Sequence, residues 1–219
     1  MTTLIKTLAI GIALLLPQAT TPVPPATAQA KTATFHSDPL QFDYIYDSSL
    51  VTQAKAGDDA IKTEQNNSTG ATKAAMSCLS LPLTAMNTAD GLRMVLIMRM
   101  DTKCMGQTVK PESLSVIATS AFSESLHRLG AEPVLSTASS YLVGGNSAAV
   151  LSGSVDSKQA GSMVYGIASC ALINGDVACW ELLSTTCSSL PVMMSYPVAF
   201  KGQNPVALIP SKFAPACKS

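Results

Sequence analysis

The chain has 219 residues, of which 47% are hydrophobic and only 13% are charged. Fourteen basic residues balance fourteen acidic ones, so the sequence has neither a basic surface for a phosphate backbone nor an acidic tail, and nucleic acid is not expected as a partner. Two histidines leave few groups for acid–base catalysis or metal binding.

The N-terminal segment has the layout of a secretory signal peptide. Lys6 precedes an apolar run at residues 8–16, which is shorter than the ~20 residues that a membrane-spanning helix needs. Small residues then offer cleavage after Ala28 or Ala30. We expect residues 1–30 to be removed and the mature chain to be periplasmic or secreted, without a transmembrane segment; a short membrane anchor is the alternative.

The mature chain of about 190 residues is long enough for one domain with its own core. We expect a flexible N terminus at residues 31–40 and a single domain over residues 41–219. Alternating aromatic residues at Phe42, Tyr44 and Tyr46 predict the first strand of that domain.

A polar stretch follows at residues 52–73, where small and polar residues outnumber apolar ones. Such a composition predicts a long surface loop. At most a short helix is expected inside this polar loop, near residues 54–61.

Two apolar segments, at residues 75–87 and 91–101, predict an antiparallel pair of strands in which Pro82 lies near an edge or a bulge. Side chains alternate between the two faces of a strand, so one face of the second strand carries Met94, Leu96, Met98 and Met100. Such methionines commonly fill an irregular core. A copper(I) site is the alternative interpretation.

The clearest helix is predicted over residues 111–130. Pro111 and Glu112 suit its first turn, and Gly130 suits its end. His127 is expected to face solvent, since it lies nearly opposite the buried stripe. That mostly apolar stripe consists of Leu114, Ile117, Ala118, Ala121, Phe122, Ser125 and Leu129.

The chain is typical of β-sheet from residue 133 onward, and its last three strands, within residues 147–186, predict a meander that ends in a hairpin. The hairpin turn is Asn174-Gly175, a pair that tolerates the positive φ angles of a two-residue type I′ turn. Counting outward from this turn places Cys170 directly opposite Cys179, in a non-hydrogen-bonded pair whose α-carbons are ~4.5 Å apart and within reach of a disulfide. A zinc site or a redox dithiol would favour CxxC spacing instead.

All six cysteines follow the predicted cleavage sites, and an even number of cysteines in an exported chain indicates disulfides. The other four cysteines fit the pairs Cys78–Cys104 and Cys187–Cys217, but spacing alone does not decide their connectivity. Beyond Cys187 we expect a short helix near residues 188–194, a short strand at residues 198–200 and a proline-pinned tail.

Trp180 is the only tryptophan in the chain. It lies on the opposite face of its strand from Cys179. Either Trp180 belongs to the core beneath a helix, or it lines a groove for a ligand or partner.

Catalytic motifs are absent from the sequence. There is no lipase-type G-x-S-x-G and no glycine-rich phosphate loop. His36 falls in the expected flexible N terminus and His127 faces solvent, so neither is placed to serve as the base of a serine triad. Carboxylates are the other candidates for catalysis or metal binding. The residues considered, which lack the motifs of glycosidase and calcium sites, are Asp58, Asp59, Asp156 and Glu181. We therefore expect no catalytic residue, no cofactor and no bound metal.

The order of predicted elements also carries information. An aromatic first strand and a hairpin precede the amphipathic helix, a Gly-Gly-x-x-Ala-Ala strand at residues 144–149, a meander, and a short helix leading to Val198-x-Phe200. Over residues 40–200 this order resembles that of the PsbP-like family, extracytoplasmic domains related to the extrinsic oxygen-evolving subunit of photosystem II. The resemblance implies a single α+β domain, mainly an antiparallel β-sheet with amphipathic helices packed on it as an α/β/α sandwich. The six cysteines depart from the family pattern.

Sequence and resemblance together favour a non-catalytic extracytoplasmic binding or accessory domain, whose partner would be a protein or a small-molecule ligand. Two alternatives are a secreted hydrolase with an unrecognised active site and a copper-binding protein that uses Met94, Met98 and Met100. More broadly, the chain resembles small cysteine-containing proteins that Gram-negative-type bacteria export.

Overall fold

The structure is a computed structural model that describes residues 31–217. The predicted signal peptide at residues 1–30 lies outside the described residues. Within residues 31–217, no helix is both long enough and apolar enough to span a membrane.

Strands and helices alternate along the chain in short groups. The strands are β1 (Thr32–Ser37), β2 (Phe42–Asp47), β3 (Val51–Thr52), β4 (Leu79–Asn87), β5 (Arg93–Met100), β6 (Val134–Leu135), β7 (Ser139–Val143), β8 (Asn146–Ser157), β9 (Ser162–Ile173), β10 (Asp176–Ser184), β11 (Pro197–Phe200) and β12 (Val206–Ala207). The α-helices are α1 (Ala54–Asn67), α2 (Gly70–Ser77), α3 (Leu114–Leu129) and α4 (Leu190–Ser195).

The strands form two antiparallel sheets. The large sheet has eight strands in the order β3-β4-β5-β10-β9-β8-β6, with β7 also paired to β8. The small sheet has four strands in the order β1-β2-β11-β12. The predicted fold class is therefore confirmed: the protein is a single α+β domain, mainly antiparallel, with helices packed on its sheet.

Helices α1, α2 and α3 cover one face of the large sheet, and the apolar side chains between them form what we call the helix-side core. The stripe of α3 lies there as predicted, with Leu114, Ile117, Ala118, Ala121, Phe122, Leu126 and Leu129 buried. The row of Met94, Leu96, Met98 and Met100 from β5 packs into the same core. His127 lies on the solvent side of α3.

The small sheet and α4 cover the other face, and the side chains between them form the sheet-side core. Phe42, Tyr44 and Tyr46 of β2 point into it, and Ile97 and Trp180 meet them from the large sheet. The second layer of the sandwich thus combines a helix with a sheet, which the sequence did not predict.

Three disulfides cross-link the fold. The predicted hairpin register is observed, with Cys179 opposite Cys170 and their α-carbons 4.0 Å apart in the disulfide. The connectivity that spacing left open is Cys78–Cys104 and Cys187–Cys217. The latter fastens the C-terminal tail beside α4.

Two expected flexible segments are regular structure, and both predictions are wrong. Residues 52–73, expected as a polar loop, contain β3, α1 and part of α2. These helices bury few side chains, among them Ile61 and Met76, so their apolar pattern is too sparse to mark them. Residues 31–40, expected to be flexible, contain β1, which pairs along its whole length with β2. An edge strand of this kind is held by backbone hydrogen bonds. These bonds do not require alternating apolar side chains, so the sequence pattern did not predict the strand.

Candidate functional site

Four turns from distant parts of the chain meet at one end of the sheet-side core. They connect β1 to β2, β7 to β8, β9 to β10, and β11 to β12. Together they enclose a pocket of about 260 Å³, which we call the turn pocket. Its lining residues are Leu40, Gln41, Asn146, Ile173, Asn174, Phe200, Lys201 and Gln203.

The floor and rim of the turn pocket differ in chemistry. Leu40, Ile173 and Phe200 belong to the sheet-side core and are almost completely buried, so the floor is apolar. The rim carries the amide and amine side chains. The surface that a ligand would meet is therefore mainly polar.

Hydrogen bonds join three of the four turns. The Asn174 side-chain amide donates to the Leu40 carbonyl at 3.3 Å, which links the β9–β10 turn to the β1–β2 turn. The backbone N–H of Lys201 donates to the Gln41 carbonyl at 3.0 Å, and the Lys201 ammonium donates to Gln41 Oε1 at 3.0 Å. The pocket is therefore held together before any ligand arrives, which lowers the entropic cost of binding.

Backbone strain is concentrated at this pocket. Among the described residues, the non-glycine residues with positive φ are Gln41 at 54°, Asn174 at 54° and Glu132 at 55°. Two of these three line the turn pocket. The left-handed conformation costs an L-residue roughly 1–2 kcal/mol, and asparagine adopts it more readily than glutamine does. Residues held this way cluster at functional sites, where neighbouring structure enforces the conformation.

The β7–β8 turn can approach the pocket only because residue 144 is glycine. Gly144 has a φ of 53°, and a β-carbon there would overlap the ring of Phe200. The turn is thus packed directly against the pocket floor. Asn146, the next polar residue, takes its place on the rim from this turn.

The β9–β10 turn is anchored from beneath by an ion pair. Arg99 donates from Nε and Nη2 to Asp176 Oδ2 at 2.9 and 2.6 Å. Thr102 donates from its backbone N–H to Asp176 Oδ1 at 3.2 Å and from its hydroxyl to the Gly175 carbonyl at 2.7 Å. Asn174 is therefore presented by a turn with little freedom to move.

A second cleft, of about 200 Å³, opens near the other end of β5 and includes Asp47, Arg93 and Tyr196 in its lining. Its two charged side chains already satisfy each other, since Arg93 Nη1 lies 3.0 Å from Asp47 Oδ2. Burial raises the pKa of Tyr196, and the nearby Asp47 carboxylate raises it further. This cleft has a less organised rim than the turn pocket.

The structure does not place Trp180 at a groove. Its side chain is completely buried and packs against Phe42, with ring centroids 5.2 Å apart. The interpretation of Trp180 as lining a ligand groove is therefore wrong, because the small sheet covers this face of β10.

The other side chains considered from the sequence lie apart from the turn pocket. Met94, Met98 and Met100 are packed in the helix-side core, where a copper ion would have to displace apolar contacts. His36 is not frayed: it lies in β1, and hydrogen bonds to Asp43 at 2.6 Å and Asp38 at 3.0 Å raise its pKa. Over residues 31–217, no group of three or more histidine, cysteine, aspartate or glutamate side chains is placed to hold a metal.

Glu181 is buried beneath α3 rather than exposed in a groove. Burial raises its pKa to about 7, and a hydrogen bond with the Ser125 side chain opposes part of that rise. Its neighbours are those of the helix-side core, so this carboxyl has no access to the turn pocket.

The sequence did not indicate the residues of the turn pocket. The sequence predicts Asn174 as a turn residue, but nothing in it marks the side-chain amide as a ligand-binding group. Three separate turns, which share no spacing or motif, contribute Gln41, Asn146, and the pair Lys201 and Gln203. Only the three-dimensional pairing of the strands brings them together.

Comparison with known proteins gives limited similarity. No family model matches the sequence, and no curated protein matches it. Among solved structures, the solution structure of cyanobacterial PsbP (CyanoP) from Synechocystis sp. PCC 6803 is 11% identical, with a TM-score of 0.42, covering 78% of this chain and 89% of that one. The crystal structure of LpqN, involved in cell envelope biogenesis of Mycobacterium tuberculosis, is 16% identical, with a TM-score of 0.34, covering 53% of this chain and 71% of that one. At these values neither similarity carries information about a ligand or an activity.

Proposed function

We propose that this protein is a non-catalytic extracytoplasmic binding domain and that the turn pocket is its ligand site. The observation that carries this proposal is the convergence of four turns, three joined by hydrogen bonds and the fourth packed on Phe200, with positive φ at Gln41 and Asn174. Such strain persists where surrounding structure enforces it, and pre-organisation of a binding site is one use of it.

The chemistry of the pocket supports binding rather than catalysis. Amide side chains donate and accept hydrogen bonds, but they do not exchange protons near neutral pH as a general acid or base must. The hydrolase alternative would need His127 or paired carboxylates in a pocket, and His127 faces solvent on α3.

The location outside the cytoplasm is supported by the three disulfides. Disulfides persist in oxidising compartments and are rare in a reducing cytosol. An exported accessory or binding role accounts for both the cross-linked scaffold and the pre-formed pocket.

The proposal can be tested by mapping ligand contacts in solution. Backbone amide shifts of the disulfide-bonded protein would be followed by NMR during titration with methyl glucoside, glucuronate and trialanine as separate probes. We expect at least one probe to give saturable shifts centred on the four turns. The proposal would be wrong if none of the three perturbs these turns.

Two matched variants sharpen the mapping. Asn174→Gly retains a residue that accepts positive φ while removing the pocket amide. Glu132→Gly makes the same kind of change at a positive φ of 55° away from the pocket lining. Binding should weaken in the first variant and stay unchanged in the second; equal weakening in both would contradict a site at the turn pocket.

A further inference from the structure

We propose that the turn pocket binds an uncharged polyol of about one sugar ring, an inference that rests on the proposed function and specifies its ligand. Three features of the pocket point to this ligand: the orientation of the rim amides, the charge of the lining and the volume of the pocket.

The amide groups are oriented with their nitrogens toward the protein. Asn174 donates from Nδ2 to the Leu40 carbonyl, and Asn146 donates from Nδ2 to the Val143 and Gly144 carbonyls, each at 3.3 Å. A carbonyl oxygen only accepts hydrogen bonds, so these contacts fix which end of each amide faces inward. The opposite ends, Oδ1 of Asn174 and Oδ1 of Asn146, are left as acceptors.

A ligand for these acceptors must bring hydrogen-bond donors. Burying an acceptor without a donor costs ~1–3 kcal/mol, so a ligand that only accepts would be penalised at both amides. A hydroxyl group donates one hydrogen bond and accepts others. It can therefore donate to Asn146 or Asn174 and also accept from the ammonium of Lys201 on the same rim.

The charge and the acceptors of the lining together favour a neutral ligand with donors. The eight described lining residues include no carboxylate, and Lys201 is the charged one. A cation would meet the ammonium of Lys201 without a compensating negative group. An anion without donors could pair with that ammonium but would leave Oδ1 of Asn146 and of Asn174 unpaired. An uncharged ligand with hydroxyl groups avoids both penalties.

The size of the pocket limits the ligand to about one ring. Its volume of about 260 Å³ is below the ~300–1,000 Å³ of sites for drug-sized ligands. Leu40 is fully buried on the floor, so the apolar contact with the carbon-bound hydrogens of a ring is left chiefly to Phe200, 5% exposed, while the hydroxyl groups of the ring face the rim. A single sugar ring has this division between an apolar face and a polar edge.

The experiment compares two probes that share one ring. Methyl glucoside retains its hydroxyl donors, whereas its fully O-methylated derivative keeps the ring and the oxygens but has no donor. We expect methyl glucoside to shift the backbone amides of the four turns in the native, disulfide-bonded protein and the O-methylated derivative to leave them unshifted. Asn174→Gly should weaken the binding of methyl glucoside about tenfold, the effect of losing one hydrogen bond of ~1.4 kcal/mol, and Glu132→Gly should not change it.

The outcomes separate this inference from the proposed function. Shifts at the turns with glucuronate or trialanine but not with methyl glucoside would overturn the polyol assignment and leave the binding site in place. Equal binding of the O-methylated derivative would also overturn it, because hydroxyl donors would then be unnecessary. If no probe shifts the turns, both the polyol assignment and the proposed function are wrong.

Discussion

The two faces of the large sheet bury carboxyl groups in opposite ways. Asp176 and Glu181 both lie on β10, with Asp176 on the face of the small sheet and Glu181 on the face of the helices. Asp176 accepts two hydrogen bonds from Arg99 and one from a backbone N–H. Glu181 faces α3, where Ser125 is its hydrogen-bonding side chain, and its Oε2 atom has no partner among the described residues.

The difference shows that the partner across the face decides how far the lost hydration of a buried carboxyl is compensated. A guanidinium with good geometry compensates the loss of hydration, whereas a hydroxyl does not. On the face of the small sheet, where Asp176 pairs with Arg99, Asp176 and Thr102 also anchor the turn pocket. The face with Glu181 is mainly apolar and, in the part of the chain that the structure describes, offers this carboxyl no cation.

The largest effect is expected from Glu181→Gln, which removes the ionisable group from the helix-side core. Glu181 has a pKa of about 7 in the folded chain, against 4.5 for a free side chain. Below pH 4.5 both states hold the proton; as the pH rises toward 7 the unfolded chain ionises first, so the free energy of unfolding falls. The total loss is about 3 kcal/mol, from ~1.4 kcal/mol for each unit of pKa difference.

Urea unfolding of the native protein and of Glu181→Gln between pH 4 and pH 8 would measure this loss. The variant should gain about 3 kcal/mol relative to the native protein across that range. Glu124→Gln, on the facing helix α3 and partly exposed, serves as the control and should show no such gain. Parallel stability curves for the native protein and Glu181→Gln would show that burial of Glu181 has no energetic consequence.

A smaller change, a decrease in the free energy of unfolding, is expected from Asp176→Asn. This change leaves Arg99 with Asp101, at 3.2 Å, and weakens the anchor of the β9–β10 turn. Because the pair retains some solvent contact, with 23% and 12% of the side chains exposed, we expect a loss of about 2 kcal/mol rather than the 3–5 kcal/mol of a fully buried pair. Urea unfolding at neutral pH measures it.

The matched control for Asp176→Asn is Asp47→Asn in the ion pair with Arg93. That pair is bridged by a single hydrogen bond of 3.0 Å, so its loss should cost at most about 1 kcal/mol. Hydrogen exchange should also accelerate at the β9–β10 turn in Asp176→Asn alone. A larger loss of stability in Asp47→Asn would refute the view that the anchored turn is the stronger of the two.

Much of the fold could be predicted because its signals are local. The Asn174-Gly175 turn sets the register of β9 and β10, and the apolar stripe of α3 and the alternation of β5 identify their buried faces. The bulge expected near Pro82 is present, as a shift of register between Ser80 and Leu83.

The elements that could not be predicted depend on contacts that are distant in sequence. Helix α1 packs against β4 at Gly57, where a β-carbon would lie 3.1 Å from Thr84 Oγ1. A contact made through a glycine does not produce a helical repeat of apolar residues in the sequence. Burial of Glu181 follows from where α3 lies. The turn pocket combines residues as far apart as Gln41 and Gln203, so no local pattern in the sequence contains it.

The smallest effect is expected from Gln41→Gly compared with Glu132→Gly. Both changes relieve a left-handed backbone, by ~1 kcal/mol, and both add a similar entropic cost to folding through glycine. In Gln41→Gly the chain also loses the hydrogen bond to the Asp38 carbonyl and the bond from Lys201. These bonds are exposed, so Gln41→Gly should be less stable than Glu132→Gly by about 0.5–1 kcal/mol, measured by urea unfolding. If Gln41→Gly proves the more stable of the two, the Gln41 side chain does not hold the β1–β2 turn, and its strain would have to be maintained by the backbone bond from Lys201 alone.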